Sequence, residues 1–415
     1  MKDCVIVSAC RTPIGAFGGT LRDSHCATLG SIVMKEAIRR AGIEAKLIDD
    51  VRFGCCMEPV DALNVTRVAA LLAGIPDSVT AVTVNRVCIS GMEAVVSGMA
   101  MILSGLADCV LAGGMEHMSG VAYSIPAARW GCRLQDQILV DDLIHGLHAG
   151  SHLLPGLEKG PVKEGGVVER FRGKPYIMGV TAELVAQMQG LSREEIDTVA
   201  LRSHNNAERA TVEGAFAEEI IPVEIPQKRG KPAVVFARDE HYRPGLTMAD
   251  LAALPPAFVP DGKVTAGNSS GINDGASAML IMSGSKAREL RIKPLARIRA
   301  VGRGGCHPSV MGLSPIPAVG DLCRRSGFKL SDFELIELNE AFAAQYIGVE
   351  KELKLKREIT NVNGSGIGLG HPVGSTGCRI MVTLLYALRR KGKTLGMATL
   401  CGGGGVSMAT ALELL

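Results

Sequence analysis

Three residues of this 415-residue chain combine reactive side chains with settings that suit nucleophilic and proton-transfer chemistry: Cys88, His371 and Cys401. Cys88 lies in "NRVCISGMEAV". The alternating "AVTV" before it predicts a strand over 81–84, and Met92 to Ser104 reads as a helix. A thiol at a strand-to-helix turn meets the bare N–H groups of the helix start, which favour the thiolate and predict a lowered pKa. The competing expectation is a buried structural thiol, the ordinary fate of one cysteine among twelve. His371 stands at a glycine-flanked turn in "GLGHPVGSTGCR", ahead of a second helix. Cys401 ends a strand in "LCGGGG", where the backbone N–H groups are bare of side chains. Two thiols and an imidazole can share one pocket only if distant parts of the chain converge.

An internal duplication supplies that convergence. "MKEAIRRAGIEAKLIDDVRFG" (34–54) resembles "VGDLCRRSGFKLSDFELIELN" (319–339): a helix ending Arg-Arg-x-Gly, a link, an Asp and an apolar strand. Glycine after the last helical turn is a stop signal. Likewise "CISGMEAVVSGMAMILSGLADCVLAGG" (88–114) resembles "GSTGCRIMVTLLYALRRKGKTLGMATLCGGG" (374–404). The offset, roughly 285 residues, is far above solenoid periods and implies two homologous halves. Short apolar strands alternating with amphipathic helices give an α/β class with buried sheets. The division expected is an N-terminal half over 1–120, a loop domain over 121–265 and a C-terminal half over 266–415. Within the middle part, 147–175 is rich in Gly, Pro and charge and reads as an exposed, mobile insertion. Residues 181–213 read as helical, with Ser192 and Glu195 forming a capping box.

Several functions are disfavoured. The net charge of +3 leaves no nucleic-acid footprint and no polybasic membrane signal. No run of about eighteen apolar residues exists, so no membrane-spanning helix is expected. The start, "MKDCVIVSACRTPIG", reads as a strand entering a turn, not a secretory leader. Many cysteines sit in apolar company, as in "ADCVLAGG", which fits free thiols in a reducing, cytoplasmic compartment. The glycines of "NGSGIGLGHP" miss the dinucleotide fingerprint, and "GKT" lacks the upstream glycine of a P-loop because Ala387 stands there. His145, His148 and His152 would share a helix face, but Gly146 and Gly150 weaken that helix and no acidic or thiol ligands adjoin, so no metal is expected.

With these motifs in view, the chain resembles the thiolases, the acetyl-CoA acetyltransferase and 3-ketoacyl-CoA thiolase group. The resemblance runs nearly end to end, through "SACRTPIGAFGG", "VCISG", "GGMEHMS", "TAGNSSGINDGA", "LNEAFAAQ", "GHPVGSTG" and "CGGGG". It implies a five-layered αβαβα fold from two similar halves, with a loop domain inserted in the first, usually as a homodimer or homotetramer. It implies that Cys88 is the acylated nucleophile, that His371 activates it and helps hold a thioester oxygen, and that Cys401 is the acid/base at the substrate's α-carbon. Asn339 would position an oxyanion-hole water. Gly403 would offer its N–H, with that of Cys88, to a second oxyanion. Ala266 and Ser270 would line the pantetheine channel, with Met178 and Phe342 near the acyl group. CoA and acyl-CoA enter as substrates, and no cofactor is implied.

Those residue types suit the chemistry. Making or breaking a C–C bond beside a thioester passes through an enolate, which needs a base at the α-carbon and fixed donors at the oxygen. A cysteine stores the acyl group as a thioester close in energy to acyl-CoA, so transfer can run both ways. Lys228, Arg229 and Lys231 either hold CoA phosphates or form a solvated loop. The sequence departs from the family at Ile89 (usually Gly), Ile177 (usually His) and Ser314 (usually Gly), and 147–175 is longer by about twenty residues. Ile89 and Ile177 predict an altered acyl preference, Ile89 by narrowing the turn or entering the acyl pocket. A decarboxylating ketoacyl synthase of the same fold would not need Cys401. A non-catalytic subunit of an acyl-transfer complex would have lost part of the catalytic set.

Overall fold

The computed structural model describes residues 3–227, 230 and 232–415. The first half carries β1 (Cys4–Arg11), α1 (Cys26–Ala41), β2 (Asp50–Gly54), α2 (Val65–Leu72), β3 (Thr80–Val84), α3 (Ser90–Ser104) and β4 (Cys109–His117). After a long excursion containing α4 (Met178–Met188) and α5 (Arg193–Val212) comes β5 (Asn273–Ser283). The second half carries β6 (Ala296–Gly305), α6 (Pro315–Ser326), β7 (Leu335–Leu338), α7 (Ala343–Leu353), α8 (Val373–Lys391), β8 (Leu395–Gly402) and β9 (Val406–Leu414).

The strands run in the order β7-β8-β9-β6-β1-β5-β4-β2-β3, and the two-residue strand Gly15–Ala16 pairs with β5. The duplication is visible in this order. β2-β4-β5-β1 repeats as β7-β8-β9-β6, each with one parallel pair followed by two antiparallel pairs. The halves meet along a short β1–β6 ladder, Val5 opposite Arg297 and Ile6 opposite Ala296. α1 and α6 both end at left-handed glycines, Gly42 and Gly327, as their Arg-Arg-x-Gly repeats require. β5 lies beyond residue 266 in sequence yet pairs with β1 and β4, so along the chain the boundary between the halves falls between β5 and β6. Nothing local to β5 announces this, because its partners are remote in sequence.

α3 and α8 pack against each other between the half-sheets, with α1 and α2 outside one and α6 outside the other. α8 is buried from Val373 to Leu388 and emerges only at its basic end, Arg389 to Lys391. Among the described residues, one helical stretch, Val87–Ser104, is long and apolar enough to cross a membrane. Its position explains its composition, since a helix between two sheets meets apolar surface on most sides. The two helices approach closely at Gly91 and Gly377. A Cβ on Gly91 would lie 2.8 Å from the Cys378 nitrogen, and one on Gly377 would lie 2.4 Å from the Met92 nitrogen. This contact sets the helix starts side by side, and Cys88 and His371 line one cavity.

The middle segment agrees with its expectation in one respect and differs in another. Residues 181–213 are helical apart from a short break, as α4 and α5, and the expected Ser192–Glu195 capping box opens the second. Residues 147–175 are more anchored than their composition suggests. They include helical turns at Leu157–Lys159 and Gly166–Phe171, and Leu157 and Val168 are fully buried against Val180, Leu184 and Val310. Isolated apolar anchors have no periodicity, so the sequence pattern does not reveal them.

One carboxylate ties the halves together at the site. Glu116, near the end of β4, is fully buried. Its oxygens accept the N–H groups of Cys56 (3.1 Å) and Met57 (3.0 Å) from the first half and of Gly374 (2.6 Å) at the start of α8. Glu116→Ala leaves three backbone donors without their acceptor, the Gly374 N–H buried and those of Cys56 and Met57 part-buried, at up to about 1–3 kcal/mol for each one that finds no other. Chemical denaturation is expected to show a loss above about 2 kcal/mol, with Glu116→Gln intermediate. A loss within measurement error would mean that these amides find other acceptors.

Candidate active site

The turn before Cys88 is held by side chains on either side of it. Asn85 Oδ1 accepts the Val87 N–H at 3.0 Å. Ser90 Oγ accepts the Arg86 N–H at 2.8 Å and donates to the Val87 carbonyl at 2.6 Å. Between them Val87 adopts φ 51°, a left-handed conformation that a β-branched residue resists. The chain reverses there, and Cys88 enters the wall of a cavity of about 470 Å³. Cys56 reinforces the turn by donating its thiol to the Val87 carbonyl at 2.9 Å.

His371 reaches the same cavity from the second half. Its backbone N–H donates to Asn273 Oδ1 at 2.8 Å, and Asn273 Nδ2 donates to the Gly15 carbonyl at 3.0 Å. The ring is fixed at Nδ1, 2.6 Å from Thr376 Oγ1, whereas Nε2 is buried and makes no hydrogen bond within the protein.

Gly403, Met178, Phe342, Ala266 and Ser270 also line the cavity. The sequence reading therefore brings seven of its ten site residues to one wall. Cys401 lies just behind it, fully buried against Met311, Ala341 and Phe342, which do line the cavity. Asn339 is likewise buried, and both polar atoms of its amide lack a protein partner. Arg229, with Lys228 and Lys231, lies outside the described residues. The sequence reading missed Glu116 and Thr376 as site residues, although both fall inside quoted motifs. Their signal is geometric: each contacts another part of the site through atoms that spacing does not reveal.

The electrostatics correct one expectation. Burial raises the Cys88 thiol to about 11, while the N–H groups of Gly403 and Cys88 itself, directed at the sulfur, pull the other way without prevailing. The helix start is present, but desolvation outweighs it. Burial, with the Arg379 charge second, lowers His371 to about 3. At rest Cys88 is thus a neutral thiol and His371 a neutral imidazole. Cys401 is pushed well up, by burial first and then by the Cys88 charge. The polar loop expected at His145–His152 is partly helical: His145 lies in the helical turn Asp142–Leu147, His148 follows it with Nδ1 2.8 Å from the Ile144 carbonyl, and His152 lies in the short turn Ser151–Leu153. Among the described residues no three His, Cys, Asp or Glu side chains converge as a metal site would require.

Known proteins share this fold and much of this sequence. Residues 4–285 match the family model of the thiolase N-terminal domain, and residues 292–414 match that of the thiolase C-terminal domain. The chain belongs to the thiolase family. It is 46% identical over 418 residues to an acetyl-CoA acetyltransferase of Syntrophomonas wolfei, covering 100% of both chains. It is 42% identical over 413 residues to that of Cupriavidus necator, again covering 100% of both. The crystal structure of the Bacillus anthracis acetyl-CoA acetyltransferase superposes with a TM-score of 0.92 at 43% identity, over 100% of this chain and 99% of that one. Human mitochondrial 3-ketoacyl-CoA thiolase superposes at 0.91 with 37% identity, over 100% and 99%. The thiolase N-terminal model ends at Ser285 and the C-terminal one begins at Ile292, on either side of the β5–β6 junction.

Within this thiolase the departures take separate places. Ile177 lines the cavity. Ile89 does not: it is fully buried in the core around α3 and α8, its side chain turned toward Gly402. Ser314 is buried and donates to the Val406 carbonyl at 2.9 Å, at the start of β9. The long segment after the helical turn Asp142–Leu147 contributes Leu147 and Ala149 to the cavity wall.

The neutral resting thiol has a kinetic signature. Alkylation by iodoacetamide needs the thiolate. Inactivation of the free thiolase should therefore keep accelerating as pH rises beyond 9, since the Cys88 pKa is raised and the thiolate fraction grows up to about 11. A rate that levels off below pH 8 would show a thiolate stabilised at rest.

Proposed function

We propose that this thiolase carries out reversible, CoA-dependent condensation and thiolytic cleavage of 3-ketoacyl-CoA through an acyl-Cys88 intermediate. The supporting observation is the cavity that presents Cys88, with two backbone N–H groups directed at its sulfur, together with the unpartnered Nε2 of His371. In the first half-reaction His371 takes the Cys88 proton and the thiolate attacks the thioester carbonyl. CoA leaves as its thiol, regaining that proton. In the second, Cys401 first gives its proton to His371 and, as the thiolate, removes an α-proton from a second acyl-CoA; the His371 proton later returns to the departing Cys88 sulfur. The carbanion attacks acyl-Cys88, the C–C bond forms, and the Cys88 sulfur departs. Acylation also prevents Cys88 from ionising, so no Cys88 charge then opposes a thiolate on Cys401. Asn339, whose amide is unpartnered and buried, suits a water that donates to the enolate oxygen. The scheme uses CoA thioesters as substrates and calls for no metal or organic cofactor. A buried second thiol behind the cavity favours it over decarboxylating condensation, which has no use for that group.

The working form is proposed as a homo-oligomer, at least a dimer. β3 is an edge strand, and among the described residues no strand covers its outer side. A second copy covering this edge removes that liability. Sedimentation should show no monomer at micromolar concentration, and a monomeric active enzyme would refute it.

Intact-mass measurement after brief exposure to acetyl-CoA tests the chemistry. Cys88→Ala is expected to take up no acyl group and to lose turnover. Cys401→Ala is expected to be acylated yet to fail in condensation and thiolysis. An acyl group mapped to Cys401, or turnover in Cys88→Ala, would overturn the assignment. In the same assays Ile177→His should change the ratio of kcat/KM between longer and shorter acyl chains by roughly 10- to 100-fold, because one apolar contact in a pocket discriminates on that scale. Ile89→Gly should leave the ratio unchanged; the reverse pattern would place Ile89, not Ile177, at the acyl group.

A further inference from the structure

The acyl-transfer scheme leaves one hydroxyl of the site unused. Thr376 lies five residues after His371, in the first turn of α8, and is fully buried. Its Oγ1 is 2.6 Å from His371 Nδ1 and 2.8 Å from the Pro372 carbonyl oxygen. On the far side of the ring, Nε2 has no protein partner.

A hydroxyl has one proton to give and two lone pairs. A carbonyl oxygen can only accept, so the Pro372 contact uses that proton. This is the bond to the carbonyl four residues back that threonines commonly make in helices. Oγ1 then offers only lone pairs to the ring, and the ring must place its hydrogen on Nδ1. Neutral imidazole with Nδ1–H carries its free lone pair on Nε2.

We propose that Thr376 is a positioning residue that holds His371 as the Nδ1–H tautomer, leaving Nε2 as the proton acceptor for Cys88. The role of His371 rests on the acyl-transfer reading; the tautomer does not. In the other tautomer Nε2 already bears a hydrogen and cannot take the thiol proton. Once Nε2 is protonated, the Nδ1–H···Oγ1 bond has a charged donor and strengthens. A hydroxyl achieves this without placing a second charge in a buried site, as a carboxylate partner would.

The test uses the full-length enzyme with its histidines labelled with nitrogen-15, His371→Asn identifying the His371 signals. Wild type and Thr376→Ser should show hydrogen on Nδ1 and a bare Nε2. In a single turnover with acetyl-CoA, Thr376→Val should acylate Cys88 roughly 10- to 100-fold more slowly, the loss expected for a hydrogen bond to a group that becomes charged. Thr376→Ser should recover most of that rate, and the KM for acetyl-CoA should stay nearly constant across the three. Hydrogen on Nε2 in wild type, or acylation of Thr376→Val at the wild-type rate, would overturn the proposal. If Thr376→Val does not fold, the wild-type spectrum alone decides. If wild-type Cys88 takes up no acyl group, the acyl-transfer reading fails while the spectrum still judges Thr376.

Discussion

The site depends on a buried carboxylate that joins two chain segments more than three hundred residues apart. Glu116 accepts N–H groups from the turn after β2 and from the first turn of α8. A buried acceptor is costly unless paired, and buried amides are costly unless they find an acceptor. Each side therefore requires the other. The helix starts of α3 and α8 are held adjacent within this arrangement, and the Gly91 and Gly377 contacts leave no room for a side chain between them. Cys88 and His371 inherit their proximity from these constraints.

Burial then determines the protonation state. Cys88 lies at a helix start with two amides directed at its sulfur, a setting that in water would favour the thiolate. The surrounding apolar wall reverses the outcome, and the same wall keeps His371 neutral. A neutral pair has a chemical advantage. In the proposed acyl transfer, charge appears only when a thioester carbonyl is present to receive it, and the amides that fail to stabilise the resting thiolate remain available to the developing oxyanion. Raising the resting thiol also limits side reactions of a free nucleophile in a cavity open to solvent.

Much of the architecture was legible in the sequence because its signals are local. Arg-Arg-x-Gly endings mark α1 and α6, alternation marks β3, and the repeated helix–Gly–strand pattern marks the two halves. The fate of β5 was not legible, since strand pairing with β1 and β4 depends on residues more than 150 positions away. Nor was the packing of 147–175, where single residues such as Leu157 and Val168 anchor a stretch of otherwise polar composition. Ile89 shows the same limit. Its neighbour Cys88 faces the cavity, and only the direction in which the turn leaves Val87 sends the isoleucine side chain into the core.

The sequence by itself determined the reactive types, the duplication and the membership of the cavity wall for Cys88, His371, Gly403, Met178, Phe342, Ala266 and Ser270. Cys88 and His371 follow from residue identity and from short motifs that specify their own turns; Gly403, Met178, Phe342, Ala266 and Ser270 follow from the resemblance to the thiolases that those motifs carry. Only the tertiary structure decided that Cys88 rests as a thiol, that Cys401 stands behind the wall, and that Thr376 and Glu116 support the site. Those properties arise from desolvation and from hydrogen bonds between remote segments, and neither is a function of local sequence.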